Sequence, residues 1–264
     1  MISQNIITEI ANKDDVGWAI IEKDYFLTLL LEGIANNPCL KDVLVFKGGT
    51  VLRKIYFKKY RYSEDLDFTL KKSLTEKEIK IALDDIFKYL KKEYNADFQI
   101  KSLYSRKWFN DIKVQFIGVK GGKNIITLDL MFDEIIVDNI KEKSVLNPYY
   151  KKNFLIPVYS LDEILAEKLR SLLQRTRVRD YYNIWYILTN AKNKINNKKV
   201  KEIFIKKVKY KKLSFSNKNQ LINPYKIEQA RAYYERQISH QIKNPPSFDK
   251  LIKELEQLIT SFDL

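Results

Sequence analysis

The chain has 264 residues, with 48 lysines and arginines against 33 acidic residues, which gives a formal net charge of +15. Its 45% hydrophobic content argues against wholesale disorder, and no run of about 18 apolar residues predicts a membrane span. The single Cys39 excludes an internal disulfide and a cysteine-based zinc site, and the start of the chain lacks a secretory pattern, so we expect a soluble, cytoplasmic protein.

Apolar periodicity predicts a first half that mixes helices with a largely antiparallel or mixed sheet. In chain order the predicted elements are a helix over 17–36, a strand over 43–46, a Gly48-Gly49 turn, a helix from Thr50, a strand over 66–70, a helix over 75–93, strands over 97–104 and 111–119, a turn at 121–124 and a strand over 125–132. Thr75 and Glu78 have the spacing of a capping box at the start of the long charged helix.

After Ser160 the periodicity is almost entirely helical. The predicted helices cover 160–175, 179–190, 225–242 and 247–262, the last with Ser247 as its N-cap. Pro148 and Pro157 flank a connection, so we place a lobe boundary near 145–158 and divide the chain into an α/β lobe over 1–150 and a helical lobe over 151–264.

The basic charge favours a nucleic acid or nucleotide partner, although a lysine-rich composition also arises from a biased genome. Between Lys192 and Lys226 many lysines and one acid, Glu202, alternate with the aromatic residues Phe204, Tyr210, Phe215 and Tyr225. Such a segment can follow a phosphate backbone and stack on bases, or it can be a solvated helix face with a core-facing stripe.

The segment from Phe46 to Leu70, FKGGTVLRKIYFKKYRYSEDLDFTL, carries the strongest chemical signal. Asp65 and Asp67 alternate along a predicted strand, so their carboxylates share a face with Cα atoms roughly 7 Å apart, and carboxylate oxygens are ligands that Mg²⁺ prefers. The glycine turn lets a phosphate approach the backbone at a helix start, where Lys47, Arg53 and Lys54 could add charge.

Each of these signals has a simpler structural explanation when taken alone. An acidic pair at a strand end is usually only solvated, and a Gly-Gly pair is often only a turn, whereas strand, Gly-Gly, helix and then D-x-D on the next strand is more specific. Other chemistries have little support, because His240 is the sole histidine and no P-loop pattern is present.

With these residues in view, the segment resembles the nucleotidyltransferase fold of the DNA polymerase beta superfamily, and more closely the AbiEii/AbiGii toxin family. The matching elements are Gly48-Gly49-Thr50 and the run RYSEDLDF from Arg61 to Phe68. The interval between glycines and carboxylates is longer than in minimal superfamily members, and Gly49 replaces a common serine. Both departures are usual for the toxin branch.

A second matching block, residues 160–186, contains a helical lysine and then an Arg-Asp pair that opens the next helix. The resemblance implies that Lys168 contacts the nucleotide triphosphate and that Asp180 holds this lysine or supports the site. From the pattern alone, Lys168 lies on an apolar helix face, where it needs a partner or a cleft unless it snorkels to solvent. The superfamily usually adds a third carboxylate, for which Asp129 is our candidate and Asp133 its competitor.

We therefore expect an α/β (α+β) protein: a minimal nucleotidyltransferase sheet with flanking helices as the catalytic lobe, and a helical lobe that closes the nucleotide cleft. The resemblance implies transfer of a nucleoside monophosphate from an NTP to RNA, such as a tRNA 3′ end, by the toxin of a toxin–antitoxin or abortive-infection system with a cognate antitoxin and no membrane partner. Alternatives are a transferase acting on a protein or small molecule, and a non-catalytic basic RNA-binding module.

The expected site residues fall into three groups. Catalytic roles are expected for Asp65, Asp67, Asp129, Lys168 and Asp180. Mg²⁺ or Mn²⁺ ligands are expected to be Asp65, Asp67 and Asp129. Nucleotide contacts are expected from Lys47, Gly48, Gly49, Thr50, Arg53, Ser63 and Lys168.

Overall fold

The computed structural model describes residues Met1 to Leu264. A seven-stranded mixed sheet organises the first part of the chain. The strands are β1 (Leu44–Lys47), β2 (Asp65–Leu70), β3 (Phe98–Arg106), β4 (Phe109–Ile117), β5 (Lys123–Met131), β6 (Lys141–Ser144) and β7 (Leu155–Val158). They lie in the order β3-β4-β5-β2-β1-β7-β6. The β2–β5 and β1–β7 pairs are parallel and the other neighbours are antiparallel.

The helices of this first unit supply much of its core. They are α1 (Gln4–Asp14), α2 (Trp18–Asn36), the short α3 (Gly48–Val51), which continues as a π-helical turn (Leu52–Tyr56), and α4 (Glu76–Tyr94). Phe26 of α2 stacks on Phe116 of β4 with ring centroids 4.2 Å apart. Helix α2 also approaches α4 so closely at Gly33 that a Cβ there would lie 2.4 Å from Cγ2 of Ile86.

The second compact unit is helical. It comprises Glu134–Asn139 and Tyr159–Leu264, whereas the first unit comprises Met1–Asp133 and Ile140–Val158. Its helices are α5 (Leu161–Gln174), α6 (Val178–Asn190), α7 (Asn197–Tyr210), α8 (Pro224–Arg231), α9 (Tyr234–Gln237) and α10 (Phe248–Ser261). No helix in the chain is both long enough and apolar enough to cross a membrane.

The predicted α/β class with a mixed sheet is confirmed, and the capping box of Thr75 with Glu78 is present at the start of α4. The connection expected around Pro148 and Pro157 instead contains β7, with Pro157 inside it. Strands β6 and β7 have only four residues each, too few to show a period of two. The single helix expected over 225–242 is broken into α8, α9 and a 3₁₀ turn.

Candidate active site

Register across the sheet aligns one lysine and three carboxylates in a single row. Asp67 on β2 is paired with Asp129 on β5, and Asp129 is also paired with Asp111 on β4. Lys47 at the end of β1 is the partner of Asp67 on the other side. Because directly opposed residues of neighbouring strands share a face, these four side chains form a row, which we call the carboxylate row, from Lys47 to Asp111.

Asp65 lies on the same face as this row. It is two residues before Asp67 on β2, where its register partner is Thr127. The intervening Leu66 and its partner Leu128 are buried, so the opposite face is the apolar core. The alternation predicted from the sequence therefore does direct Asp65 and Asp67 away from the core together.

Asp129 has a strongly perturbed ionisation. Burial raises the pKa of its carboxyl to about 7, and the negative charges of Asp67, Asp111 and Asp65 contribute further. The side chains as they stand do not form a ready group of three metal ligands. Even so, a divalent cation beside these oxygens would relieve the mutual repulsion, so the donor set fits Mg²⁺ or Mn²⁺ chemically.

The turn formed by Gly48 and Gly49 packs closely against the carboxylate row. Gly48 has a φ of +83°, which favours glycine, and a Cβ at this position would lie 2.1 Å from Oδ2 of Asp67. A Cβ on the next residue, Gly49, would lie 3.0 Å from the guanidinium of Arg61 and 3.6 Å from the hydroxyl of Ser63. The turn therefore places the backbone of Gly48 close to the side chain of Asp67 and the backbone of Gly49 close to that of Ser63.

Thr50 joins the start of α3 to the start of β2. Its side chain is 1% exposed, and its hydroxyl donates a hydrogen bond to the carbonyl of Asp65. This contact holds the backbone that carries the first carboxylate. Thr50 therefore stabilises the backbone at Asp65, and its hydroxyl is already used in this hydrogen bond.

Two basic residues expected to add charge for a phosphate are engaged in other contacts. Lys54 is buried, where its ammonium donates to Asp24 at 2.6 Å and to Thr28 at 2.8 Å, so the expectation that it lies beside the phosphate is wrong. The guanidinium of Arg53 donates to Asp14 at 3.1 Å and stacks 3.4 Å from the ring centroid of Tyr62. Of the predicted basic residues near the glycine turn, Lys47 is the one that lies in the carboxylate row.

Lys168 and Asp180 meet within the helical unit. The ammonium of Lys168 on α5 lies 3.0 Å from Oδ1 of Asp180, and Nε of Arg175 lies 2.8 Å from its Oδ2. Although burial opposes ionisation of Asp180, these two cations lower the pKa of its carboxyl to about 2. The partner that an apolar-face lysine requires is therefore Asp180.

Sequence reasoning missed Asp111 but selected Asp129 over its competitor Asp133. Asp111 alternates with the buried Ile112 and Val114 on β4, the same signal that identified Asp129 on β5. Lys113 forms an ion pair with Asp111 at 3.2 Å and donates to the hydroxyl of Thr127. Asp129 is the direct partner of Asp67, whereas its competitor Asp133 follows the end of β5 and has no place in the strand register.

Comparison with known proteins identifies the family to which the chain belongs. Residues 29–254 match the family model described as nucleotidyl transferase AbiEii toxin, Type IV TA system. A solved structure, MenT4, a nucleotidyltransferase toxin from Mycobacterium tuberculosis H37Rv, is similar to the chain with a TM-score of 0.67 and 16% sequence identity, covering 100% of this chain and 91% of that one. No curated protein sequence matches the chain. The expected fold and family are confirmed.

Proposed function

The chain belongs to the AbiEii family of nucleotidyltransferase toxins of type IV toxin–antitoxin systems, and we propose that it transfers a nucleoside monophosphate from an NTP to a hydroxyl of RNA in a metal-dependent reaction. The observation that supports this reaction is the carboxylate row, in which Asp67 and Asp129 are direct partners and Asp65 shares their face. A nucleotidyltransferase needs such oxygens at one point to hold divalent cations against a triphosphate.

The reaction is in-line attack of the acceptor oxygen on the α-phosphorus. The new O–P bond forms as the bond to the β-phosphate oxygen breaks, and pyrophosphate leaves. We assign Asp129 as the group that accepts the proton of the attacking hydroxyl, because its carboxylate is the direct register partner of Asp67 and lies in the same row. Mg²⁺ or Mn²⁺, held by Asp65, Asp67 and Asp129, would activate that hydroxyl and neutralise the leaving pyrophosphate.

We assign the triphosphate to the turn between β1 and α3. Gly48 and Gly49 have no side chain to block a phosphate, Lys47 adds a positive charge, and Ser63 adds a hydroxyl close to Gly49. Lys168 is assigned to the nucleotide by resemblance to the family, with Asp180 as the partner that holds its ammonium.

The acceptor is proposed from charge and family together. A formal net charge of +15 attracts a polyanion, and the resemblance to the toxin family implies transfer to RNA, including tRNA 3′ ends. We therefore propose a tRNA 3′ hydroxyl as the acceptor, a cytoplasmic location where this RNA is abundant, and neutralisation by a cognate antitoxin.

A label-transfer assay tests the reaction and its acceptor. The protein is incubated with total RNA, Mg²⁺ and each α-labelled NTP in turn, beside Asp67→Asn, Asp129→Asn and Lys168→Ala variants. Asp133→Asn is the matched control, because Asp133 lies on the same segment as Asp129 but outside the register. We expect label in RNA with wild type and the control, and loss of at least a hundredfold with the Asp67 and Asp129 variants.

The same assay distinguishes the alternatives. Label found on protein or on a small molecule in place of RNA would redirect the acceptor while leaving the transferase reaction intact. NTP binding without any transfer, unchanged in Asp67→Asn, would identify a binding module and contradict the proposed reaction. Addition of EDTA should abolish transfer, and Mg²⁺ or Mn²⁺ in excess should restore it.

A further inference from the structure

The tip of the hairpin formed by β3 and β4 carries aromatic and basic side chains that the proposed reaction does not use. The seven residues from Tyr104 to Asn110 include three aromatic residues, two cations and no acid. Two of the aromatic side chains are largely exposed, Tyr104 at 60% and Trp108 at 52%. We call Tyr104, Arg106, Lys107 and Trp108 the hairpin patch.

Each exposed aromatic ring of the hairpin patch has a cation beside it. The guanidinium carbon of Arg106 lies 5.1 Å from the ring centroid of Tyr104, and the ammonium of Lys107 lies 4.6 Å from that of Trp108. Single-stranded nucleic acid is bound by this combination, because bases stack on aromatic faces while neighbouring cations neutralise the phosphates. The patch therefore has both components within one short turn.

The position of the hairpin patch relates it to the carboxylate row. Tyr104 on β3 is the register partner of Asp111 on β4, which in turn is the partner of Asp129 on β5. Tyr104 thus extends the row by one strand and lies on the same face of the sheet. Two strand spacings separate it from Asp129, a distance of about 10 Å.

The lysine-rich segment over 192–226 is a weaker candidate for the same role, because several of its side chains serve the fold. Phe204 is buried and contacts Phe215 edge to face at 4.8 Å. Lys207 is fully buried, and Lys226 donates hydrogen bonds to the last carbonyls of α5. The hairpin patch, in contrast, leaves its large aromatic side chains available to a partner.

We propose that the hairpin patch binds unpaired nucleotides of the acceptor RNA and holds the acceptor hydroxyl near Asp129. The inference rests on the proposed function for the identity of the reaction, but RNA binding by the patch is measurable without it. Tyr104 and Trp108 provide the stacking surfaces, and Arg106 and Lys107 contact the phosphates between the stacked bases.

The test compares two tyrosine–arginine pairs of nearly equal geometry. Tyr104 with Arg106 belongs to the hairpin patch, and Tyr233 with Arg236, whose guanidinium carbon lies 5.3 Å from the ring centroid, is the matched control in the helical unit. Both tyrosines are exposed, Tyr104 at 60% and Tyr233 at 46%. Each pair is replaced by alanine, and thermal melts establish that both variants are folded.

Binding of a fluorescent single-stranded RNA oligonucleotide is measured by anisotropy at fixed salt, and NTP binding is measured separately. We expect the hairpin variant to bind RNA about tenfold or more weakly, as for loss of one stacked base, with unchanged NTP affinity, while the control variant changes less than twofold. Tyr104→Phe should retain the affinity of wild type, because the ring is kept.

The outcomes separate this inference from the proposed reaction. RNA affinity that is unchanged in the hairpin variant, or reduced equally in the control variant, would overturn the role of the patch even where wild type transfers label to RNA. Wild type that binds RNA through Tyr104 but transfers no label would overturn the proposed reaction and leave the patch as an RNA-binding surface.

Discussion

Asp67 and Asp129 are direct register partners on the parallel strands β2 and β5, so one carboxylate from each strand reaches the same face of the sheet. Their juxtaposition requires this register, since a slip of one residue would turn Asp67 into the apolar core. Thr50 and Gly48 fix the neighbouring backbone, the first by a hydrogen bond to the carbonyl of Asp65 and the second by close contact with Asp67. The geometry of the carboxylates is thus a property of the sheet and the glycine turn together.

The contact between Gly48 and Asp67 gives a matched pair of glycine substitutions. Gly48 and Gly121 have nearly equal φ values of +83° and +81°, but a Cβ at Gly48 would lie 2.1 Å from the Asp67 carboxylate, whereas one at Gly121 would meet nothing within 4 Å. Gly48→Ala and Gly121→Ala should both lose about 1 kcal/mol of unfolding free energy from backbone strain, and Gly48→Ala should lose more because its Cβ collides with Asp67. Only Gly48→Ala should also lose label transfer, by at least tenfold; equal activity in the two variants would contradict a role for this contact.

The burial of Asp129, together with repulsion from the neighbouring carboxylates, predicts a gain in stability when its charge is removed. Because its folded-state pKa is raised from 3.8 to about 7, ionisation costs the folded state free energy, and stability falls as pH rises between these values. Asp129→Asn should therefore be more stable than wild type at pH 8 in EDTA, by about 1–2 kcal/mol after allowance for solvent screening. Denaturant titrations with and without Mg²⁺ measure this.

Mg²⁺ should reverse the order of stability, since it stabilises wild type and has fewer oxygens to bind in Asp129→Asn. Asp133→Asn is the control and should respond to Mg²⁺ as wild type does. A wild-type midpoint that is insensitive to Mg²⁺ would contradict metal binding at the carboxylate row.

Sequence patterns predicted those parts of the fold that depend on the types and spacing of residues that are close in the chain. The alternation of Asp65, Leu66 and Asp67 assigned faces on β2, and the spacing of Thr75 and Glu78 located the start of α4. The partner of Asp67 could not be read from the sequence, because a parallel pairing with β5 is set by long-range contacts. Asp111 was not predicted as a site residue, because an acidic residue in an alternating strand can be assigned to a site only when its partners on neighbouring strands are known.

The ion pair of Lys168 and Asp180 predicts a specific acid sensitivity. Because Lys168 and Arg175 lower the pKa of Asp180 from 3.8 to about 2, its contribution to stability is present above about pH 4 and is lost as the pH falls towards 2. Asp180→Asn should lose about 3 kcal/mol at pH 7, since it leaves the buried Lys168 without its carboxylate partner. The difference from wild type should shrink at pH 2.5, as measured by denaturant titration, while the exposed Asp84→Asn should match wild type at both pH values.

Lys207 is the member of the lysine-rich segment whose role is structural. It is fully buried on α7, and its ammonium lies 3.1 Å from Glu134 and 3.0 Å from Glu163. Glu163 in turn accepts hydrogen bonds from the backbone N–H groups of Val137 and Asp138. The lysine therefore neutralises the carboxylates that hold Glu134–Asn139 within the helical unit.

Lys207→Met should destabilise the helical unit by about 3–5 kcal/mol, because it leaves buried carboxylates without a cation. Lys206→Met, on the exposed side of the same helix, should change stability by less than about 0.5 kcal/mol. Hydrogen exchange gives a local measurement, since the amides of Val137 and Asp138 should lose protection in the first variant only. Equal protection of these amides in both variants would show that Glu163 holds the segment without help from Lys207.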